Sequence, residues 1–212
     1  MRGARVITLV IALIMVSILG GCAKTWSVNF TTVPDIDDWV LKSYYALDPQ
    51  GLILANDNYV TAPCVWTGDF TITVKFKLAA TISNRVFGAI WVAGTTGTAE
   101  DMLSFYYYYG GSIDPSFGLW VDGSAHPQVV INSSSTLVPG IRNDDINTYV
   151  LKKAGDHFTA TLNNVELGDW DDITYDSVNF YLTLNSAFLA ANEIIYKSVS
   201  VRYEDGNMTP VL

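Results

Sequence analysis

The sequence predicts an all-β chain, two antiparallel sheets packed as a sandwich or jelly roll. Short segments with apolar residues at every second position follow one another, the pattern of half-buried strands. Gly, Asn, Asp and Pro punctuate them at short intervals, and no window past the apolar N-terminal run has a helical period.

In chain order, Trp26, Val28 and Phe30 alternate with polar residues as a first strand would. Leu41 to Leu47 leads into the turn Asp48-Pro49-Gln50-Gly51, with Pro at its second position, and then into Leu52 to Ala55. After Asn56-Asp57-Asn58 comes Tyr59 to Ala62. Phe70 to Leu78 is the clearest strand, with Phe70, Ile72, Val74, Phe76 and Leu78 on one side and Thr71, Thr73, Lys75 and Lys77 on the other. Arg85 to Ala93, Met102 to Tyr109, Phe117 to Val121 and Gln128 to Ile131 continue the series. Thr148 to Lys153 and His157 to Leu162 form a meander turned at Ala154-Gly155-Asp156 and closed by Asn163-Asn164, residues that accept positive φ. Val178 to Leu184 and Ile194 to Tyr203 complete it. No internal repeat or linker divides the chain, so one domain is expected from 26 to 212.

Residues 1–21 read as an address label. Arg2 and Arg5 precede an uncharged apolar run, Val6 to Leu19, of about 14 residues, short of the roughly 20 that a spanning helix needs. Leu19-Gly20-Gly21-Cys22 resembles the lipobox of bacterial lipoproteins, which implies cleavage before Cys22 and lipidation on it. An ordinary secretory signal or an uncleaved anchor is the alternative. Ala23 and Lys24 follow without an acid, which by the same resemblance implies the outer membrane of a bacterial envelope. Residues 22–25 then form a short tether.

The chain carries 12 basic and 21 acidic residues, and removing the leader takes away two arginines and no acids. Phosphate binding needs a clustered positive field, so no nucleic-acid partner is expected, and membrane attachment depends on the acyl chains of Cys22. Apart from Cys22 only Cys64 is present, which excludes an internal disulfide in the domain and suits a small buried hydrophobe.

Three stretches carry a resemblance. Asn58-Tyr59-Val60-Thr61-Ala62-Pro63, Gly68-Asp69-Phe70 through Leu78, and the Tyr149 to Asn164 meander resemble, in that order, concanavalin A-like lectin/glucanase domains, with the laminin-G-like and 3-keto-disaccharide-hydrolase-like branch nearest. In that branch the hairpin strand ends in Asn-Gly, whereas Asn164 stands here in place of the Gly. The resemblance spans about Thr25 to Tyr203 and implies two curved sheets with carbohydrate often bound on the concave one.

A sugar site needs flat aromatic faces beside amides and carboxylates. With Leu103, Phe105 and Tyr107 turned inward, Tyr106 and Tyr108 turn outward. The same parity turns Trp91, Trp120, Tyr181 and Asn179 outward from their strands. Trp91, Tyr106, Tyr108, Trp120, Asn179 and Tyr181 are therefore the candidate carbohydrate-binding residues. Packing of these rings under loops or in a second layer is the competing use, since aromatics favour strands in any case.

No catalytic residue is assigned. Laminarinase-like members of the superfamily carry Glu-x-Asp-x-x-Glu on one strand, and none of Glu100, Glu166, Glu193 and Glu204 has that spacing. Glu166 to Asp172 reads as an acidic loop after the meander. His126 and His157 lie far apart without a metal-ligand motif. No cofactor is expected; Asp35, Asp37 and Asp38, or Asp144 and Asp145, offer oxygens to calcium without the spacing of a ligand loop. The expectation is a lipid-anchored, non-catalytic, carbohydrate-binding sandwich. The alternatives are a glycoside hydrolase or lyase with acids such as Asp101, Asp114 or Asp122, and an adhesive envelope protein that meets another protein.

Overall fold

The computed structural model describes residues 23–32, 39–42, 45–54, 58–78, 86–94, 102–109, 116–121, 124–125, 145–171, 180–187, 194–204 and 207–210. Within them the strands in chain order are β1 (Ala23–Asn29), β2 (Val40–Lys42), β3 (Tyr45–Asp48), β4 (Gly51–Leu54), β5 (Asn58–Trp66), β6 (Phe70–Leu78), β7 (Val86–Gly94) and β8 (Met102–Tyr109). They continue as β9 (Ser116–Val121), β10 (Ser124–Ala125), β11 (Ile146–Ala154), β12 (His157–Leu162), β13 (Val165–Asp171), β14 (Phe180–Ala187), β15 (Ile194–Glu204) and β16 (Met208–Pro210). Sheet A runs β13-β12-β11-β6-β15-β4-β3 with β1 also on β15, and sheet B runs β10-β9-β8-β7-β14-β5-β16 with β2 also on β5. The fold is the predicted antiparallel jelly-roll sandwich.

Alternation decides which face is dry. Phe70, Ile72, Val74 and Phe76 of β6 are buried together with Tyr149, Leu151, Phe158, Ala160, Leu162, Val199 and Val201 of sheet A. Against them lie Val60, Ala62, Cys64, Trp66, Leu182 and Leu184 of sheet B, in one continuous apolar cluster. Trp26 of β1 meets Trp66 of β5 edge-on at 5.4 Å and Trp39 at 6.0 Å, which ties the two sheets together at that end. Cys64 sits in this core, where loss of solvation pushes its thiol up to about 12.

The predicted hairpin turn is present, with Asn163 at φ 51° and Asn164 at φ 67°. Both central residues in the left-handed region make the twist that matches a two-residue hairpin. Asn163 also closes it with its side chain: Oδ1 accepts from the Thr148 amide at 2.8 Å and Nδ2 donates to Oδ1 of buried Asn147 at 2.9 Å.

Several expectations change. Ala23 to Thr25, expected as tether, are the first residues of β1, and Ala23 pairs with Glu204. Leu41 to Leu47, read as one segment, serves both sheets: β2 joins β5 and β3 joins β4. Strand β5 runs on through Pro63, which falls where five residues of β5, Thr61 to Val65, stand opposite three of β14, Tyr181 to Thr183. That bulge removes the ladder position whose N–H proline lacks. Glu166 to Asp171, expected as a loop, belongs to edge strand β13. A register shift at Ala160/Thr161 lets Leu167 and Trp170 both reach the core, and Trp170 stacks on Phe158 at 5.3 Å. The bulge hides the period-two pattern in the sequence. The Gln128 to Ile131 strand lies outside the described residues.

Candidate functional site

The sequence-predicted aromatics fall on neighbouring strands of sheet B. Trp91 lies in β7, Tyr106 and Tyr108 in β8, Trp120 in β9 and Tyr181 in β14. Asn179 and Cys22 lie outside the described residues.

Register links these positions. Thr183, Trp91, Ser104 and Trp120 form one cross-strand row. Directly paired residues of an antiparallel ladder share a face, and so do residues two apart along a strand. The next row on that face is Asn185, Ala89, Tyr106 and Gly118, and the one after it is Ala187, Phe87, Tyr108 and Ser116. On the other side of the tryptophan row stand Tyr181, Ala93 and Met102. All five described candidate positions therefore share one face.

Burial on β5 and β14 identifies that face. Leu182 and Leu184 are fully buried and occupy the opposite face, as do Val60 and Ala62. Thr61 and Tyr59 pair with Thr183 and Asn185, which extends the aromatic rows onto β5, and both are half-buried. Trp91 and Trp120 stand two strand spacings apart, about 10 Å between backbones. Ser104 lies between them, while Ala89 and Gly118 flank Tyr106.

Sequence parity alone missed the small residues, because cross-strand neighbours depend on register. It also missed Asn185 and Tyr59, since the expected strand stopped at Leu184 and Tyr59 opened a segment with no assigned partner. Carrying the alternation one step past Leu184 places Asn185 beside Thr183 on the same side.

Elsewhere, His157 and Asp145 form structural contacts. His157 Nδ1 lies 2.7 Å from Asp171 Oδ1 and Nε2 lies 3.9 Å from Asp169 Oδ2, on the exposed edge formed by β12 and β13. The hydrogen bond to Asp171 raises the imidazole above its usual range, and the charges of Asp171, Asp169 and Asp156 add to it. Asp145 Oδ1 accepts from the Ile146 amide at 2.7 Å. Among the described residues no group of three or more His, Cys, Asp or Glu is placed to hold a metal ion. Asp35, Asp37, Asp38 and Asp144 lie outside the described residues, as do Asp101, Asp114 and Asp122.

No protein-family model and no curated protein sequence matches the chain. Solved structures do. The CBM2 module of the evolved Dit of Lactobacillus casei BL23 phage J-1 superposes with a TM-score of 0.65 at 9% identity, covering 88% of this chain and 98% of that one. A structure reported with endo-acting O-glycanases that human gut microbiota express to initiate mucin breakdown gives 0.63 at 13% identity, covering 85% and 99%. A galectin-like protein of unknown function from Bacillus subtilis gives 0.59 at 12% identity, covering 86% and 100%. At these identities the likeness is one of fold.

Proposed function

We propose that this chain is a lipid-anchored protein of the bacterial envelope that binds carbohydrate, without turning it over, on the outer face of sheet B. The observation that carries the reading is the shared face of Trp91, Tyr106, Tyr108, Trp120 and Tyr181, with Ser104, Ala89 and Gly118 as their cross-strand neighbours. Rings separated by small residues leave space for a pyranose to lie against an aromatic surface, and hydroxyls and amides nearby satisfy its polar edge. Thr183, Asn185 and Thr61 stand in the same rows, where Asn179 had been expected to supply the amide. The sandwich is also the fold of a phage carbohydrate-binding-type module and of a structure reported with mucin-degrading O-glycanases, which supports a glycan as ligand.

The lipid anchor rests on Leu19-Gly20-Gly21-Cys22, and the outer membrane on the absence of an acid at positions 23 and 24. The test is a broad glycan-array and polysaccharide screen with the chain beginning at Ala23, which keeps every described strand. Binding without release of reducing ends is the expected outcome. Turnover removed by one Asp→Asn change would move the protein among the hydrolases or lyases. Silence from folded protein across the panel would sink the carbohydrate reading.

A further inference from the structure

Away from that face, a concavity of about 220 Å³ opens at the end of sheet A where β1 begins, lined among others by Ala23, Asp69, Thr71, Lys152, Arg202 and Glu204. Its charged residues are arranged by register. Arg202 pairs with Thr71 and Thr71 pairs with Lys152, so two cations flank one hydroxyl across three neighbouring strands, roughly 10 Å from first to last. Both cations are exposed, and among the described residues neither forms an ion pair. Glu204 follows Arg202 by two positions on the same strand, and Asp69 holds the neighbouring turn through the Gly155 amide at 2.7 Å. The lining thus presents positive charge on one side and negative charge on the other.

Its location adds a second constraint. Ala23, the residue that would follow an acylated Cys22, lines the concavity while paired with Glu204. With the expected tether built into β1, no slack separates an anchor at Cys22 from this end of the sheet.

We infer that the concavity receives the headgroup of a zwitterionic, phosphoethanolamine-type phospholipid, an inference that rests on the anchoring of Cys22 proposed above. The phosphate lies between Lys152 and Arg202 with the Thr71 hydroxyl donating to it, and the ammonium turns toward Asp69 and Glu204. A headgroup with phosphate and no ammonium meets those two carboxylates and the charge of an acidic chain, which disfavours it. The domain then stands with this end of sheet A on the bilayer and the aromatic face of sheet B open to the side.

The test is flotation of the chain beginning at Ala23 with vesicles of phosphatidylethanolamine and phosphatidylcholine, against phosphatidylglycerol with phosphatidylcholine and against phosphatidylcholine alone. Several-fold greater recovery with phosphatidylethanolamine, abolished by Lys152→Glu with Arg202→Glu and reduced by Thr71→Val, is the expected result. Both cations are exposed, so unfolding midpoints should match wild type; if the double variant unfolds, Thr71→Val decides. Equal recovery of wild type and variants, or no preference for phosphatidylethanolamine, overturns the inference. The mass of the Cys22 peptide from full chain extracted from membranes reports the anchor separately. An unmodified Cys22 beside headgroup-dependent flotation removes the anchor alone, and an acylated Cys22 without it removes the headgroup site alone.

Discussion

Replacing Asn163 by alanine should destabilise the domain by about 2–5 kcal/mol, and the reason lies in one hairpin. Asn163 holds φ at 51°, a left-handed conformation that costs an alanine roughly 1–2 kcal/mol. Its side chain also accepts from the Thr148 amide at 2.8 Å and donates to Oδ1 of buried Asn147 at 2.9 Å. Removing a partner from a buried polar group costs about 1–3 kcal/mol. Glycine at the same position loses the same two bonds and none of the backbone conformation, so Asn163→Gly should be about 1 kcal/mol less damaging than Asn163→Ala. Urea unfolding followed by tryptophan fluorescence separates the two effects. With a slope of about 2 kcal/mol/M, a 3 kcal/mol loss moves the midpoint by about 1.5 M. Equal midpoints for Ala and Gly would refute the backbone part of the reasoning. A shift below about 0.3 M for either would refute the part that rests on the buried amide pair.

Two further outcomes follow from contacts on sheet A. His157 is raised by its bond to Asp171, so the folded chain binds that proton more tightly than the unfolded chain does. The stabilisation is complete below pH 6.5 and disappears as pH climbs through the raised value; an NMR titration of His157 should show the midpoint falling in Asp171→Asn, and an unchanged midpoint would contradict the assignment. Gly51 sits at φ 144° with its missing Cβ directed at the Tyr196 carbonyl. Gly51→Ala should therefore cost several kcal/mol, at least the roughly 1–3 of a strained backbone, and a thermal melt unchanged from wild type would show that β4 and β15 separate more easily than their packing indicates.

Much of this architecture is legible from alternation alone, and the exceptions share a cause. Strands β6 and β12 coincide with their predicted segments because each keeps one parity from end to end, and β8 matches its predicted bounds as well. Strand β13 escapes because a bulge changes its parity between Leu167 and Trp170. The length of β5 is hidden by Pro63, which reads as a stop until the bulge opposite β14 is known. Strands β10 and β16, of two and three residues, are too short to show a period. The aromatic positions of sheet B were legible one strand at a time. Their rows, and the small residues between them, depend on which strands pair and in which register, information set by long-range contacts. The concavity at Ala23 was illegible for the same reason, since it joins residues of β1, β6, β11 and β15.

The proposed function puts glycan on the face of sheet B that carries the aromatic rows. Its most direct test takes the polysaccharide that binds best in the screen and compares Trp91→Ala and Trp120→Ala with Thr73→Ala and Thr161→Ala, which sit on the outer face of sheet A. Loss of about 1–3 kcal/mol of affinity for each tryptophan variant, roughly fivefold to 150-fold, with both threonine variants unchanged, is the predicted result. Full affinity in the tryptophan variants, or loss confined to the threonine variants, would contradict it.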